Sequence, residues 1–588
     1  MASRQKFYSL KQAVQMISNS SVDDNDDSGE DVEDDDEFDI GNSAFTTDSD
    51  DDDRAVLDDS SDNDDDDSEP WSCPDFAWSR AAGEPPMLYP FCGQSGLNVD
   101  TTNFSSDEYY QLFVSDDMMN HFAAQTNLFA EQYIDANPNL PPHSNVRLWV
   151  PTNRDEIKTF IGLLLVMGVM KKPSLAMYWS TDPLFQTPLF GAVMPRNRFL
   201  LLLEFFHVYN NNNAPSRNDP HRDRLFKVRP FLDELFEKFQ TVYTPGPSLA
   251  VDESLLLWKG RVVFRQYLPL KRARFGIKLF CLCEDSGYMY RFRVYTGKQD
   301  PTTAIDIALP HECTALSSSE KIVVYLMLPL LGEGRTIWMD NWYSSCRLYD
   351  YLHNRKTMAC GTIRSNRGVP SEVKNVQLAV GEISPFRSGP LLCIKYRDKK
   401  DVFMLTTQHD ESMVPAPKRR GRPSATDCAM KPMCIVEYNA NMGAVDKQDQ
   451  MLQPYSIARK TMKWYKKLTF HMLHVALLNS YILYKKTGGR STFLTFQHDV
   501  AANFLFSDTE TPDKAEKSEA LRRLTERHFP DTLKPTPTWT KPQARCRVCS
   551  KNGVRRDVKT YCPSCPSCPG LCAVPCFRRW HTELRYWD

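Results

Sequence analysis

The sequence predicts a multidomain α/β protein: a mixed-sheet core between a helical region and a terminal Cys-rich metal module. Three observations point there. The 588 residues exceed the ~250–300 at which a single hydrophobic core stops growing. From Ser248 the texture changes from long helical periodicities to short β-rich runs interrupted by one helix, the pattern of a mixed sheet. Seven of the 17 cysteines crowd into the last 43 residues, and the spacing of thiol pairs there suits tetrahedral zinc.

The formal net charge of −4 conceals two opposite halves. Between Ser21 and Pro70 stand 25 Asp or Glu and one basic residue, Arg54, leaving 70 Lys and Arg against 50 acids elsewhere. A body that basic expects a polyanion partner, most often nucleic acid. The first residues, MASRQKFYSLKQ, lack the apolar stretch of a secretory signal. The longest apolar run, FIGLLLVMGVM at 160–170, is far short of the ~20 residues of a membrane span. No membrane partner is expected. The ten cysteines outside the tail show no pairing pattern, which favours a reducing compartment.

Residues 1–95 are poor in apolar side chains and carry runs such as DDDD, so this acidic segment is expected to be disordered. It suits a solvating tail, a mimic of DNA charge, or a kinase substrate at Ser49, Ser60 and Ser61. Residues 96–245 read as helical. DEIKTFIGLLLVMGVMKK (155–172) is apolar all round, as a buried helix is, with Thr152 as its expected N-cap. RNRFLLLLEFFHVY and VRPFLDELFEKFQTVY predict two more helices before Pro245-Gly246-Pro247 closes the region.

The first part of the core, 246–365, predicts strands at SLAVDESLLLW, VVFRQYLP, RFGIKLFCLCE, YMYRFRVYT and TIWMDNWY, with a helix at KIVVYLMLPLL. Residues 366–435 read as an irregular, basic, Pro-rich insertion. Helical texture returns over 436–506 in GAVDKQDQML and WYKKLTFHMLHVALLNSYILYKK, with Leu468, Met472, Val475, Asn479 and Ile482 on one face. A polar linker (507–544) leads to the Cys-rich module (545–588).

Three places set carboxylates at the edge of an apolar element: Asp252 in AVDES, Asp340 in IWMDNWYSS, and Asp446 with Asp449 in GAVDKQDQ. Two acids on separate strands and one on a following helix can converge and hold two Mg²⁺ ions through oxygen ligands. Singly, each fits a strand end or a helix N-terminus just as well. Glu253 should face away from Asp252, because neighbouring strand residues point to opposite faces.

At this point the chain resembles the piggyBac-type DNA transposase family. The resemblance is carried by MPRNRFLLLLEFFH, VYTPGPSLAVDESLLLWKGR, QYLPLKRARFGIKLF, MDNWYSS, CGTIRSNRG, YNANMGAVDKQDQM, YSIARKTMKWYKK and LLNSYILYKK, and with the Cys-rich tail it spans about residues 100–588. It implies a ribonuclease-H-like catalytic core with an insertion, flanked by a helical dimerisation and DNA-binding domain. It implies a cut-and-paste enzyme that cleaves transposon terminal inverted repeats through hairpin intermediates and joins them at TTAA targets, as a homodimer or larger assembly in the nucleus. Asp252, Asp340 and Asp446 are then the catalytic acids, Asp449 is accessory, and two Mg²⁺ ions are the cofactors. The alternative is a domesticated, transposase-derived DNA-binding protein without transposition activity.

The resemblance also implies a role near DNA ends for Trp464, which sits among Arg459, Lys460, Lys463, Lys466 and Lys467. An aromatic among cations can stack a base while the cations hold phosphate, although the same Trp464 fits the apolar stripe of its helix. Lys271, Arg272, Arg274 and Lys278 suit phosphate contacts or a solvated, protective strand edge. Arg364 and Arg367 in TIRSNRG form a second candidate loop. In PKRRGRPS, Arg420 and Arg422 suit a narrow minor groove or a nuclear localisation signal. The tail holds ten Lys or Arg against three acids over 541–588, again suited to DNA. Its implied ligands, for one or two Zn²⁺, are Cys546, Cys549, Cys562, Cys565, Cys572, Cys576 and His581, with Cys568 as a less suited eighth.

Overall fold

The computed structural model describes residues 76–586 apart from 82, 84, 217–218, 220–221, 269–273, 298–308, 417–429, 459–460, 462, 507–522, 525–526, 536–541, 566 and 584–585. The architecture is mixed α/β, built on one ten-stranded sheet. Its main strands are β1 (Ser248–Leu257), β2 (Phe275–Glu284), β3 (Met289–Val294), β4 (Thr336–Met339), β5 (Met358–Thr362), β6 (Ile383–Ser388), β7 (Leu391–Arg397) and β8 (Asp401–Thr406). The spatial order is β6-β7-β8-β5-β4-β1-β2-β3. Only β1–β4 and β4–β5 are parallel. The crossover from β3 to β4 carries the helix expected at KIVVYLMLPLL, observed as Ser318–Met327.

Helices cover this sheet. The principal ones are α1 (Asp116–Ala136), α2 (Arg154–Val169), α3 (Arg196–Phe205), α4 (Arg229–Thr241), α5 (Ala444–Leu452), α6 (Trp464–Lys486) and α7 (Phe493–Phe506). In α6 the expected stripe is buried, and so is most of the opposite side, because α6 lies inside the molecule rather than on its surface. Its Asn479 stands in for a strand partner: the side chain accepts from Met289 N–H at 3.0 Å and donates to Met289 C=O at 2.9 Å. α7 lies on α2, and the contact needs glycine. A Cβ at Gly162 would stand 2.9 Å from Leu505 of α7, and one at Gly168 would stand 3.1 Å from Gln497 of α7 and 2.4 Å from the carbonyl of Tyr455 in the turn after α5.

Three local expectations change. The N-cap of α2 is Asn153, which accepts from Glu156 N–H, while Thr152 donates to the Glu156 carboxylate. Glu156 is held by Arg198 as well. The strand expected at VVFRQYLP shrinks to Gln266–Tyr267. Most clearly, the 366–435 stretch is not irregular: β6, β7 and β8 form an antiparallel extension that joins the sheet through β8–β5. Pro385 within β6 disguised it. A proline is tolerated there because β6 lies near the sheet edge, paired beyond β7 only with Ser79–Arg80.

Candidate active site and metal module

β1 and β4 run side by side in parallel, with Val251 opposite Met339. One residue further on, Asp252 and Asp340 therefore stand together at the centre of the sheet. Burial first, and then the charge of Glu253, raise both carboxyls, Asp252 to about 8 and Asp340 to about 6. For both acids the effects that raise the carboxyl outweigh those that lower it. Asp340 is aimed by the backbone N–H of Trp342, which donates to it at 2.9 Å. The positive charge of Arg364 lies close enough to offset part of its shift.

The α5 acids reach this place unequally. Asp446 is exposed in the first turn of the helix. Asp449, one turn on, accepts from Ser254 Oγ at 2.7 Å. Ser254 follows Asp252 by two positions and so shares its face of β1. The thiols of Cys281 and Cys283, on the neighbouring strand, are held neutral by burial, and the charges of both Asp449 and Asp252 act on them. Asp252, Asp340 and Asp449 thus gather about the middle of β1, while Asp446 stands exposed one helical turn before Asp449.

Glu253 alternates with Asp252 along the strand, but its carboxyl stays within reach of the acid site. It accepts from Tyr343 O–H at 2.9 Å and pairs with Lys278 Nζ at 3.6 Å. The separation is incomplete, since its carboxyl hydrogen-bonds the Asp252 carboxyl and perturbs Asp340. Pattern reading alone discounted that electrostatic reach.

Several expected DNA contacts point inward. Lys278 is buried on Glu253 with its ammonium 4.9 Å from the ring centres of both Phe280 and Trp342. Arg367 is buried and donates to Trp342 C=O and to Ser319 Oγ. Both brace the loop that carries Asp340 rather than forming a cationic edge. Trp464 is 8% exposed and packs edge-on to Phe264 at 5.3 Å. Its indole is core in this arrangement. Lys467 is partly buried, and that burial lowers its pKa. Arg274 is exposed and Arg364 half-buried. Lys271, Arg272, Arg420, Arg422, Arg459 and Lys460 lie outside the described residues.

In the tail, the donor atoms of Cys546, Cys549, Cys572 and Cys576 lie within 4.8 Å of one another, and so do those of His528, Cys562, Cys565 and His581. All seven implied ligands fall into these two groups, which interleave along the chain. The Cys549 sulfur is 3.7 Å from Cys572 Sγ and 3.5 Å from Cys576 Sγ, close to the ~3.8 Å edge of a tetrahedron with ~2.3 Å Zn–S bonds. Nδ1 of His581 bonds Phe577 C=O at 2.7 Å, leaving Nε2 toward Cys565, as a ligating imidazole requires. The donor set fits Zn²⁺. The eighth member, His528, went unread because it lies in the stretch taken for linker. Cys568 is exposed, at φ 42°, outside both groups.

Comparison with known proteins agrees with this architecture. A family profile described as "Transposase IS4" matches residues 105–481, and one described as "DDE_Tnp_1-like zinc finger" matches 538–582. The human PiggyBac transposable element-derived protein 3 is 25% identical over 488 residues, 81% of this chain and 76% of that protein. The human PiggyBac transposable element-derived protein 2 is 23% identical over 452 residues, 75% of this chain and 71% of that protein. A solved structure described as a piggyBac transposase synaptic complex with hairpin DNA superposes with a TM-score of 0.59 at 25% identity, covering 80% of this chain and all of that one. With the transposase profile spanning well over half of the sequence, the chain belongs to the piggyBac-type DNA transposase family.

Proposed function

We propose that this chain is a Mg²⁺-dependent DNA transposase that cleaves the ends of its own element, passes through hairpin intermediates and joins the ends at TTAA sites. The observation that carries the reading is the meeting of Asp252 and Asp340 where two parallel strands lie side by side, both raised by burial and by a third acid. An arrangement that holds carboxylates together against their own repulsion suits a divalent cation. Asp252, Asp340 and Asp446 would hold it, with Asp449 as the accessory acid fixed by Ser254. When bound, such ions polarise the phosphodiester and lower the pKa of water for in-line attack.

The chain's own residues do the positioning. Parallel pairing of β1 with β4 fixes the spacing of Asp252 and Asp340. Trp342 N–H orients Asp340, and Arg367, Lys278 and Tyr343 stiffen the turn behind it. The basic body favours double-stranded DNA, and the basic zinc module suits recognition of terminal inverted repeats. Processing two ends together favours a homodimer or larger assembly, and a DNA substrate favours the nucleus.

The test is incubation of the purified chain with DNA bearing the element's terminal inverted repeats and Mg²⁺, with nicked and hairpin products resolved on denaturing gels. The human relatives are named as element-derived proteins, which favours a second reading of sequence-specific DNA binding without transposition. Specific binding with no cleavage by the wild-type chain would select it.

A further inference from the structure

We propose that His528, from a segment that is structurally part of the terminal module, is the fourth ligand of the zinc held by Cys562, Cys565 and His581. The inference does not depend on the transposase chemistry.

Cys562, Cys565 and His581 alone give three donors, and the sequence offers Cys568, in a proline-crowded CxxCxxC spacing, as a less suited candidate for the fourth. The structure turns Cys568 away. Its backbone takes a left-handed conformation, its side chain is exposed, and its thiol faces Pro563 C=O at 3.9 Å. His528 fills the place instead. Its Nδ1 stands 3.4 Å from Cys562 Sγ and 3.7 Å from Cys565 Sγ, and its ring stacks on His581 with centroids 4.3 Å apart. Two thiols and two imidazoles converging on one point match the N/S ligand set of a closed structural zinc site.

The delivery of His528 is built by contacts that involve no metal. On one side, Arg523 is buried with its guanidinium 5.0 Å from the ring centres of both Trp580 and Tyr586. It donates to Trp580 C=O, and to Glu583 C=O at 2.8 Å. On the other side, Asp531–Thr532 pairs antiparallel with Thr560–Tyr561, and Leu533 N–H donates to Lys559 C=O at 2.8 Å. The strand that receives this pairing runs directly into Cys562. His528 is therefore held from both flanks beside the ligands it completes.

The module accordingly begins at Arg523, ahead of the matched zinc-finger region at 538–582. The connection from the end of α7 at Phe506 then shortens to residues 507–522. Such a stretch reaches ~55 Å at most when fully extended. Zinc bound through His528 would thus set the reach of the module from the catalytic body.

The experiment measures zinc per full-length chain, and its release to a chelator, for wild type, His528→Ala, His528→Cys and Cys568→Ser. Wild type should carry two zincs, and His528→Ala should lose one or release it at least ~100-fold faster, since even outer-shell partners are worth ~10–100-fold in metal affinity. His528→Cys and Cys568→Ser should hold both. Retention of the four-cysteine zinc in His528→Ala shows that the module still folds. Cobalt substitution should show six thiolates bound to two metals. Two zincs held equally tightly by His528→Ala, a zinc lost in Cys568→Ser, or a single zinc in wild type would each overturn the proposal. No zinc at all would instead contradict the zinc reading of the whole module.

Discussion

Ser254 donates to Asp449 at 2.7 Å, joining the central strand to a helix 195 residues further along the chain. That bond makes α5 a member of the acid site and not merely a neighbour. Ser254→Ala should cut the rate of DNA cleavage ~10-fold or more by the same logic as other outer-shell partners of metal ligands. The hydrogen bond itself is worth only ~1 kcal/mol of stability, so the variant should remain folded by circular dichroism. An unchanged cleavage rate would separate Asp449 from the chemistry.

Crowded acids also predict a conflict between stability and function. In metal-free buffer, Asp252→Asn relieves the repulsion with Glu253 and Asp340, and the melting temperature should rise by a few degrees, at ~2–4 °C per kcal/mol for a large domain. Added Mg²⁺ should raise the wild-type melting temperature and leave that of Asp252→Asn nearly unchanged. Calorimetry with and without Mg²⁺ reads both effects. A wild type indifferent to Mg²⁺ would argue against a cation site here.

Arg274 and Arg367 were equivalent in the sequence and are opposites in the structure, one exposed and one buried on Trp342 and Ser319. If Arg274 touches phosphate, Arg274→Ala should weaken DNA binding and reduce the slope of log affinity against log salt by about 1. Arg367→Ala should leave that slope alone, lower the melting temperature and slow cleavage through the Asp340 loop. Fluorescence anisotropy across a salt series distinguishes them.

Buried His474 makes the fold acid-sensitive. Burial pushes it down to about 3, with the neighbouring charges of His471 and Lys171 acting in the same direction and the Gln497 hydrogen bond against it. The unfolded chain, with an ordinary value of ~6.5, therefore binds the proton first. Its contribution is complete above pH ~6.5 and is lost as pH falls toward 3, at ~1.4 kcal/mol per pH unit. Urea unfolding from pH 7 to 5 should show this loss, and His474→Leu should flatten it.

How far the sequence disclosed all this depends on the kind of interaction involved. β1 and α6 were legible because runs of ten and 23 residues rich in apolar side chains leave few alternatives. β6 to β8 were not, because Pro385 and two tight turns mimic a loop, and their partner is a distant strand that local pattern cannot name. Asp252 and Asp340 could be picked out as acids set on apolar strands, but their adjacency follows from parallel pairing. The inward turn of Lys278 arises from a cross-strand ion pair and an aromatic cage, neither encoded at any fixed spacing. His528 escaped for the same reason. Its nearest relation in sequence is a proline-rich connection, and only folding brings it to Cys562 and Cys565.

The most direct test of the account is Mg²⁺-dependent cleavage of DNA carrying the element's terminal inverted repeats by wild type and by Asp252→Asn, Asp340→Asn and Asp446→Asn. The account predicts nicks and hairpin ends with wild type, and none above background with any of the three variants, each binding the DNA as tightly as wild type. Cleavage that persists in any one of them would contradict it.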